Sequence, residues 1–276
     1  MSQVWIITGS SRGLGRAIAE DALANGHQVV ATARRPEQLD ELVAQYGDAV
    51  LPLELDVTDA DGARSVVDRA VETFGRVDVV INNAGYGDVA SVEDVELDDF
   101  RRQIDTNFYG VVYLSKAVIP IMREQGSGHI VQISSIGGRV SGPGMTAYQS
   151  AKWAVSGFSS GLAQELAPLG IKVTVLEPGG MRTDWAGSSM TIPAISEPYR
   201  ATVGAMARGV RGSQGSEPSD PAKVAGLVRT VLALDEPPVR LLVGQDAIAY
   251  VAAVEKAQAE SDEKWQELTR SVSFDS

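Results

Sequence analysis

The sequence predicts an α/β protein, a parallel sheet of about seven strands with helices on both faces, and three observations carry that expectation. Apolar runs of strand length recur along the chain, and they are continuous, as strands buried on both faces require. Segments of helical periodicity separate them. Neither an internal repeat nor a shift in composition divides the 276 residues, so a single domain over 1–276 is expected.

The strand runs lie at 4–8, 27–33, 49–56, 77–82, 129–134, 171–177 and 239–243. Helix starts are marked between them by Pro36 before EQLDELVAQY and by Thr58 with Asp61, read as a capping box before GARSVVDRAVETF. Asp220-Pro221 marks another before AKVAGLVRTVLAL. The stretch 180–217 is rich in Gly, Ser, Pro and Met without strong periodicity, and reads as a mobile lid. A C-terminal helical extension is expected over about 245–270, its buried face formed by Ile248, Val251, Val254 and Trp265.

Composition removes several classes of function. There are no cysteines, so disulfides and thiolate metal sites are excluded, and the two isolated histidines, His27 and His129, do not make a metal site. A net charge of −12, with no basic tract, opposes nucleic acid and anionic lipid as partners. No apolar stretch reaches membrane-spanning length, and the run at 4–8 is too short for a targeting leader. The expected protein is soluble and cytoplasmic.

A glycine-rich turn, Gly9-Ser10-Ser11-Arg12-Gly13-Leu14-Gly15, follows the first strand directly and opens a helix. Glycines there let the backbone approach a diphosphate, whose charge is met by amides at the helix N-terminus. The sheet is therefore expected to be of the Rossmann type, binding a dinucleotide. The second strand ends at Ala33, followed by Arg34 and Arg35, where an NAD-binding sheet typically carries an acid. Arg34, with Arg12, is expected to grip a 2′-phosphate. At roughly 1.5–3 kcal/mol per charged hydrogen bond, NADP(H) should be preferred about tenfold or more, with NAD possible. Asp56 is read either as a partner of the adenine amino group, with Val57 offering its amide, or as a cap. Asn83, Ala84 and Gly85 end the fourth strand at the same sheet edge.

Tyr148 and Lys152 stand four residues apart, thirteen and seventeen after Ser135. At helical spacing an ammonium sits beside a phenol and lowers its pKa, which makes tyrosine an acid/base near neutral pH. With TGSSRGLG, ATARRP, NNAGYG, DTNFYG and EPGGMRTDW, the chain resembles the short-chain dehydrogenase/reductase superfamily from Thr8 to about Val243. It is most similar to that family's 17β-hydroxysteroid dehydrogenase-like and retinol dehydrogenase-like bacterial oxidoreductases.

The resemblance implies an NAD(P)-dependent enzyme that interconverts a carbonyl and an alcohol. It makes Tyr148 the acid/base, Lys152 the ribose-binding partner, Ser135 the donor to the substrate oxygen and Asn107 the organiser of a water-linked proton relay. Ser134 should point elsewhere by strand alternation. Pro178, Gly179 and Thr183 would hold the nicotinamide, with Gly180, where the family often has Val or Ile, leaving that loop looser. Trp185, Met190, Ile192, Pro193, Ile195 and Tyr199 suggest an apolar substrate surface. A homodimer or homotetramer is implied. The competing readings are a catalytically silent NADP(H)-sensing regulator and a lipid-binding module on the same fold.

Overall fold

The computed structural model describes residues 2–274. Its strands are β1 (Val4–Ile7), β2 (Gln28–Ala33), β3 (Val50–Glu54), β4 (Val79–Asn82), β5 (Gly128–Ile133), β6 (Ile171–Pro178) and β7 (Arg240–Val243). They form one parallel sheet in the order β3-β2-β1-β4-β5-β6-β7. All seven expected runs are strands: five are shorter by one to three residues, β5 begins one residue earlier and ends one earlier, and β6 runs one residue further. The chain direction across the sheet reverses between β1 and β4. At such a switch point, the crevice beyond the carboxyl ends of the strands is where α/β proteins bind ligands.

Helices cover both faces: α1 (Gly13–Ala24), α2 (Asp40–Tyr46), α3 (Ala60–Phe74), α4 (Leu97–Ile104), α5 (Gly110–Gln125), α6 (Thr146–Leu166), α7 (Val203–Gly212), α8 (Pro221–Leu232), α9 (Gln245–Lys264) and α10 (Gln266–Arg270). Strand alternation sends Trp5 and Ile7 into the core under α1 and α8, and Ile6 into the core under α3, α5 and α6. A third, smaller core of Val89, Met145, Met190, Val203 and Ala207 gathers around Tyr148 beneath the lid. No helix among the described residues is long and apolar enough to cross a membrane.

Three expectations are corrected. The cap of α3 is Asp59, whose side chain accepts from the Asp61 amide at 3.0 Å, while Thr58 gives its amide and hydroxyl to Asp56. Thr58 sits one residue too early to reach the first turn. The lid contains the ten-residue α7 and is tied down. Asp88 accepts from the Thr191 amide at 2.7 Å, Asp94 from Ser196, and Glu93 from the Tyr199 hydroxyl. From the C-terminal side, Arg211 donates to the carbonyls of Ala186, Gly187 and Met190. In the last helices the buried stripe is Ala247 and Val251, with Val254 at its edge. Ile248 and Trp265 are more than half exposed: Ile248 lies on the outer side of the first turns, and Trp265 lies beyond Val254, where every described residue is exposed.

Candidate active site

The glycine turn owes its shape to sterics. Gly9 and Gly13 have φ of +68° and +59°, the left-handed region that side chains disfavour. At Gly15 an added Cβ would lie 2.3 Å from the Gly9 carbonyl oxygen and 2.4 Å from Asn83 Nδ2, so no other residue closes the turn against the fourth strand. Asn83 Nδ2 in turn donates to the carbonyls of Thr8 and Gly9, and the Thr8 hydroxyl accepts from the amides of Asn83 and Ala84 at 2.9 Å. The ends of β1 and β4 are thereby fastened together with the N-terminus of α1 open above them.

That crevice belongs to a cavity of about 1320 Å³ running along the carboxyl rim of the sheet. Ser11, Arg12, Gly13 and Leu14 line one end with Arg34, Asp56 and Val57. Asn107, Ser135, Tyr148 and Lys152 line the other, beside Pro178, Gly179 and Thr183. The volume exceeds that of an ordinary small-molecule pocket and suits an extended ligand with a second molecule beside it.

At that second end, side chains expected to act together line one wall. Ser135, just past β5, accepts from the Gly137 amide at 3.1 Å and lines the cavity with Tyr148. Ser134 faces away, its hydroxyl on the Lys152 carbonyl and Ser156. Lys152 Nζ donates to the Ile133 carbonyl at 2.8 Å and lies 5.7 Å from the centre of the Tyr148 ring. An ammonium has three donors, so this buried one has two left for a ligand. Those unspent donors, with the bare glycine backbone, fit a dinucleotide's ribose and diphosphate.

Asn107 sits in a π-helical turn, Asp105–Tyr109, spliced between α4 and α5. Its amide nitrogen donates to the carbonyls of Tyr86 and Gln103 and its oxygen accepts from the Tyr86 amide. The side chain is fully engaged. Gly85 packs against it so closely that a Cβ would come within 2.5 Å of Asn107 Oδ1 and 3.6 Å of Lys152 Nζ.

The electrostatics reverse one expectation. Burial pushes the Tyr148 phenol up to about 12, with the Ser135 hydrogen bond working against that rise. Burial also pushes Lys152 down to about 8. Both groups are almost wholly removed from water, so desolvation of each charged form outweighs the help that an ammonium gives a phenolate.

Two further residues differ from their expected settings. Arg12, expected to join Arg34, pairs instead with Asp184 at 2.9 Å, with Ser188 beside it, and so ties the glycine turn to the lid. The Pro178-Gly179-Gly180 loop is not loose. Gly180 donates to Asp246 at 2.8 Å and accepts from Ser219, and Gly179 donates to the Val243 carbonyl. Asp56 acts as a cap for Thr58, which holds its carboxyl below the usual range, and it still lines the cavity. Trp185 lies over the reacting end, its ring 5.3 Å from that of Tyr148, in space that Gly87 leaves open.

Sequence reasoning missed Gly87, the clasp made by Arg211, and Tyr250 of α9, which reaches the cavity wall. None of these carries a local pattern, since each meets partners far away in the chain.

A parallel sheet with a glycine-lined switch point, and on its rim Ser135 beside the buried Tyr148 and Lys152, defines a nucleotide-binding α/β protein with oxidoreductase architecture. The chain belongs to the short chain dehydrogenase family, whose model matches residues 3–191. It is 60% identical over 270 residues, 98% of each chain, to Oxidoreductase BOA17 of Botryotinia fuckeliana. Among solved structures, a short-chain dehydrogenase from Streptomyces avermitilis superposes with a TM-score of 0.93 at 38% identity, covering 99% of this chain and 100% of that one. An alcohol dehydrogenase from Thermococcus sibiricus complexed with 5-hydroxy-NADP gives 0.73 at 27% identity, covering 88% and 96%.

Proposed function

We propose that the protein reversibly reduces a ketone or aldehyde to an alcohol with NADP(H) as the preferred nicotinamide. The observation that carries this reading is the convergence of Ser135, Tyr148 and Lys152 at one end of a cavity whose other end is the bare glycine turn. The nicotinamide ring, when bound, supplies or accepts the hydride. Everything else falls to the chain. Ser135 and Tyr148 hold the carbonyl oxygen by hydrogen bonds, and Tyr148 passes its proton to that oxygen as charge develops on it. A phenol pushed up to about 12 is protonated at neutral pH, the form that reduction consumes. Lys152 uses its spare donors on the ribose hydroxyls. Asn107, locked into the π turn, fixes the local backbone that would order a water chain resupplying the proton.

The cofactor preference is supported by the end of β2, where Ala33 offers no carboxylate and Arg34 and Arg35 are exposed beside the cavity. With Arg12 pairing with the lid, a 2′-phosphate would be met chiefly by Arg34. The substrate is expected to be largely apolar, since Trp185, Met145, Val140, Met206 and Val210 line the cavity near Tyr148. A dimer or tetramer is proposed as the working assembly.

The test is an absorbance screen of carbonyls and alcohols with both nicotinamides. Consumption of NADPH in preference to NADH supports the proposal, and Ala33→Asp with Arg34→Ala should shift the ratio toward NADH by about tenfold or more. An unchanged ratio would remove the assignment of Arg34. Tight NADPH binding without turnover on any substrate would favour the sensing role.

A further inference from the structure

We propose that Asp246, in the first turn of α9, is a positioning residue for hydride transfer, which makes the C-terminal helix a working part of the site. The inference deepens the oxidoreductase reading and rests on it. Its physical basis is the way the carboxylate fits the loop that follows β6. Oδ2 of Asp246 accepts from the Gly180 amide at 2.8 Å. At Gly179, an added Cβ would lie 2.2 Å from that same oxygen and 2.6 Å from the carboxylate carbon. At Gly244, whose φ of +106° admits little but glycine, a Cβ would lie 2.6 Å from Oδ1. Three glycines thus surround one carboxylate, and two of them have no room for a side chain.

The loop is fixed on its other sides as well. Gly179 donates to Val243, extending the ladder between β6 and β7, and Gly180 accepts from Ser219. The Pro178 carbonyl faces the Ser135 hydroxyl at 3.5 Å. Pro178, Gly179, Gly180 and Thr183 line the cavity beside the catalytic group, whereas Asp246 lies behind them. The carboxylate therefore acts on the reaction through the backbone it holds.

Its second oxygen, Oδ1, is buried and has no hydrogen-bond partner among the described residues. A buried acceptor left unpaired is a cost in stability. What the carboxylate does hold is one peptide unit, through Oδ2 and the Gly180 amide. A displaced loop would leave the adenosine half of the cofactor in place and let the nicotinamide half wander. The consequence is a loss in kcat with little change in cofactor affinity, since small misplacements of reacting groups cost roughly 10–100-fold in rate.

The experiment compares Asp246→Ala and Asp246→Asn in the full chain. Asparagine keeps an acceptor for the Gly180 amide; alanine does not. Without cofactor, hydrogen exchange at the Gly180 amide should quicken about tenfold or more in the alanine variant and stay near wild type in the asparagine variant. With NADPH, the alanine variant should bind with an affinity within about threefold of wild type, but with weaker enhancement of nicotinamide fluorescence and a kcat lowered roughly tenfold or more. Asparagine should restore both. Wild-type exchange and kcat in the alanine variant would overturn the proposal, as would an asparagine variant equally impaired in kcat. If the alanine variant does not fold, Asp246→Glu, one methylene too long for the slot left by Gly179, serves in its place with the same expected losses. A wild-type protein that binds no nicotinamide would sink the oxidoreductase reading while leaving the exchange result to judge the brace separately.

Discussion

The floor of the site and its roof are built by different means. The floor is the carboxyl rim of the sheet, where backbone meets backbone at distances that admit no Cβ at Gly15 and a single buried hydrogen bond holds Lys152. The roof is the lid with α7 and α9, which rests on small apolar contacts around Tyr148 and under α9 and is fastened across the surface by side-chain clasps: Arg12 to Asp184, Asp88 to Thr191, Arg211 to three carbonyls. A floor fixed by sterics cannot loosen in part. A roof fixed by polar clasps can, because exposed ion pairs and hydrogen bonds contribute only about 1 kcal/mol or less each.

The largest expected effect lies on the floor. Tyr148→Phe should lower kcat by about 10²–10⁴-fold while NADPH affinity stays nearly intact, measured by steady-state kinetics beside a binding titration. Retained turnover would erase the contrast, since the reacting group would then lie elsewhere.

The next concerns the acid sensitivity of the sheet itself. Burial pushes His129 down to about 4, with Lys172 adding to the fall. Below pH 6.5 the unfolded chain takes up a proton that the folded one refuses, so stability drains away as pH falls from 6.5 towards 4. At 1.36 kcal/mol per pH unit the full loss is about 3 kcal/mol. His129→Gln, which keeps a polar partner for Thr174, should flatten this part of the profile in urea titrations at pH 7 and 4.5. An equal loss in both proteins would place the acid sensitivity in groups other than His129.

The smallest of the three sharpens the contrast from above. Arg211→Ala should raise the KM for substrate by about tenfold and expose 184–200 to limited proteolysis, with global stability moved by less than about 1 kcal/mol. Arg211→Lys should recover only part of this, because a point charge cannot span three carbonyls as a planar fork does. A fall in the global unfolding midpoint would mean that roof and floor melt as one.

The same contrast explains what could be read in the chain beforehand. Glycines at 9, 13 and 15, and the spacing of Ser135, Tyr148 and Lys152, are demands of local geometry, so each leaves its mark within a short window. The strands were legible for the same reason. The roof was not. Arg12 and Asp184 are separated by 172 positions and Asp88 and Thr191 by 103, and no periodicity reports a pairing of that range. Gly204, Gly209 and Gly212 obscured α7, since glycine lowers helix propensity although the helix packs well through Val203 and Ala207. The direction of the phenol's shift was missed because sequence shows the neighbouring charge and hides the depth of burial.

The π turn at Asp105–Tyr109 has a consequence for how this protein can change. Loss of one residue there would restore an unbroken α-helical ladder, a gain by local standards. The wide turn already absorbs its extra residue, so α5 beyond it would keep nearly the same face toward its neighbours. Asn107, inside the turn itself, is the residue that would be displaced, and with it the bonds to Tyr86 and Gln103. The extra residue thus sets the place of one side chain and leaves the helices on either side in phase.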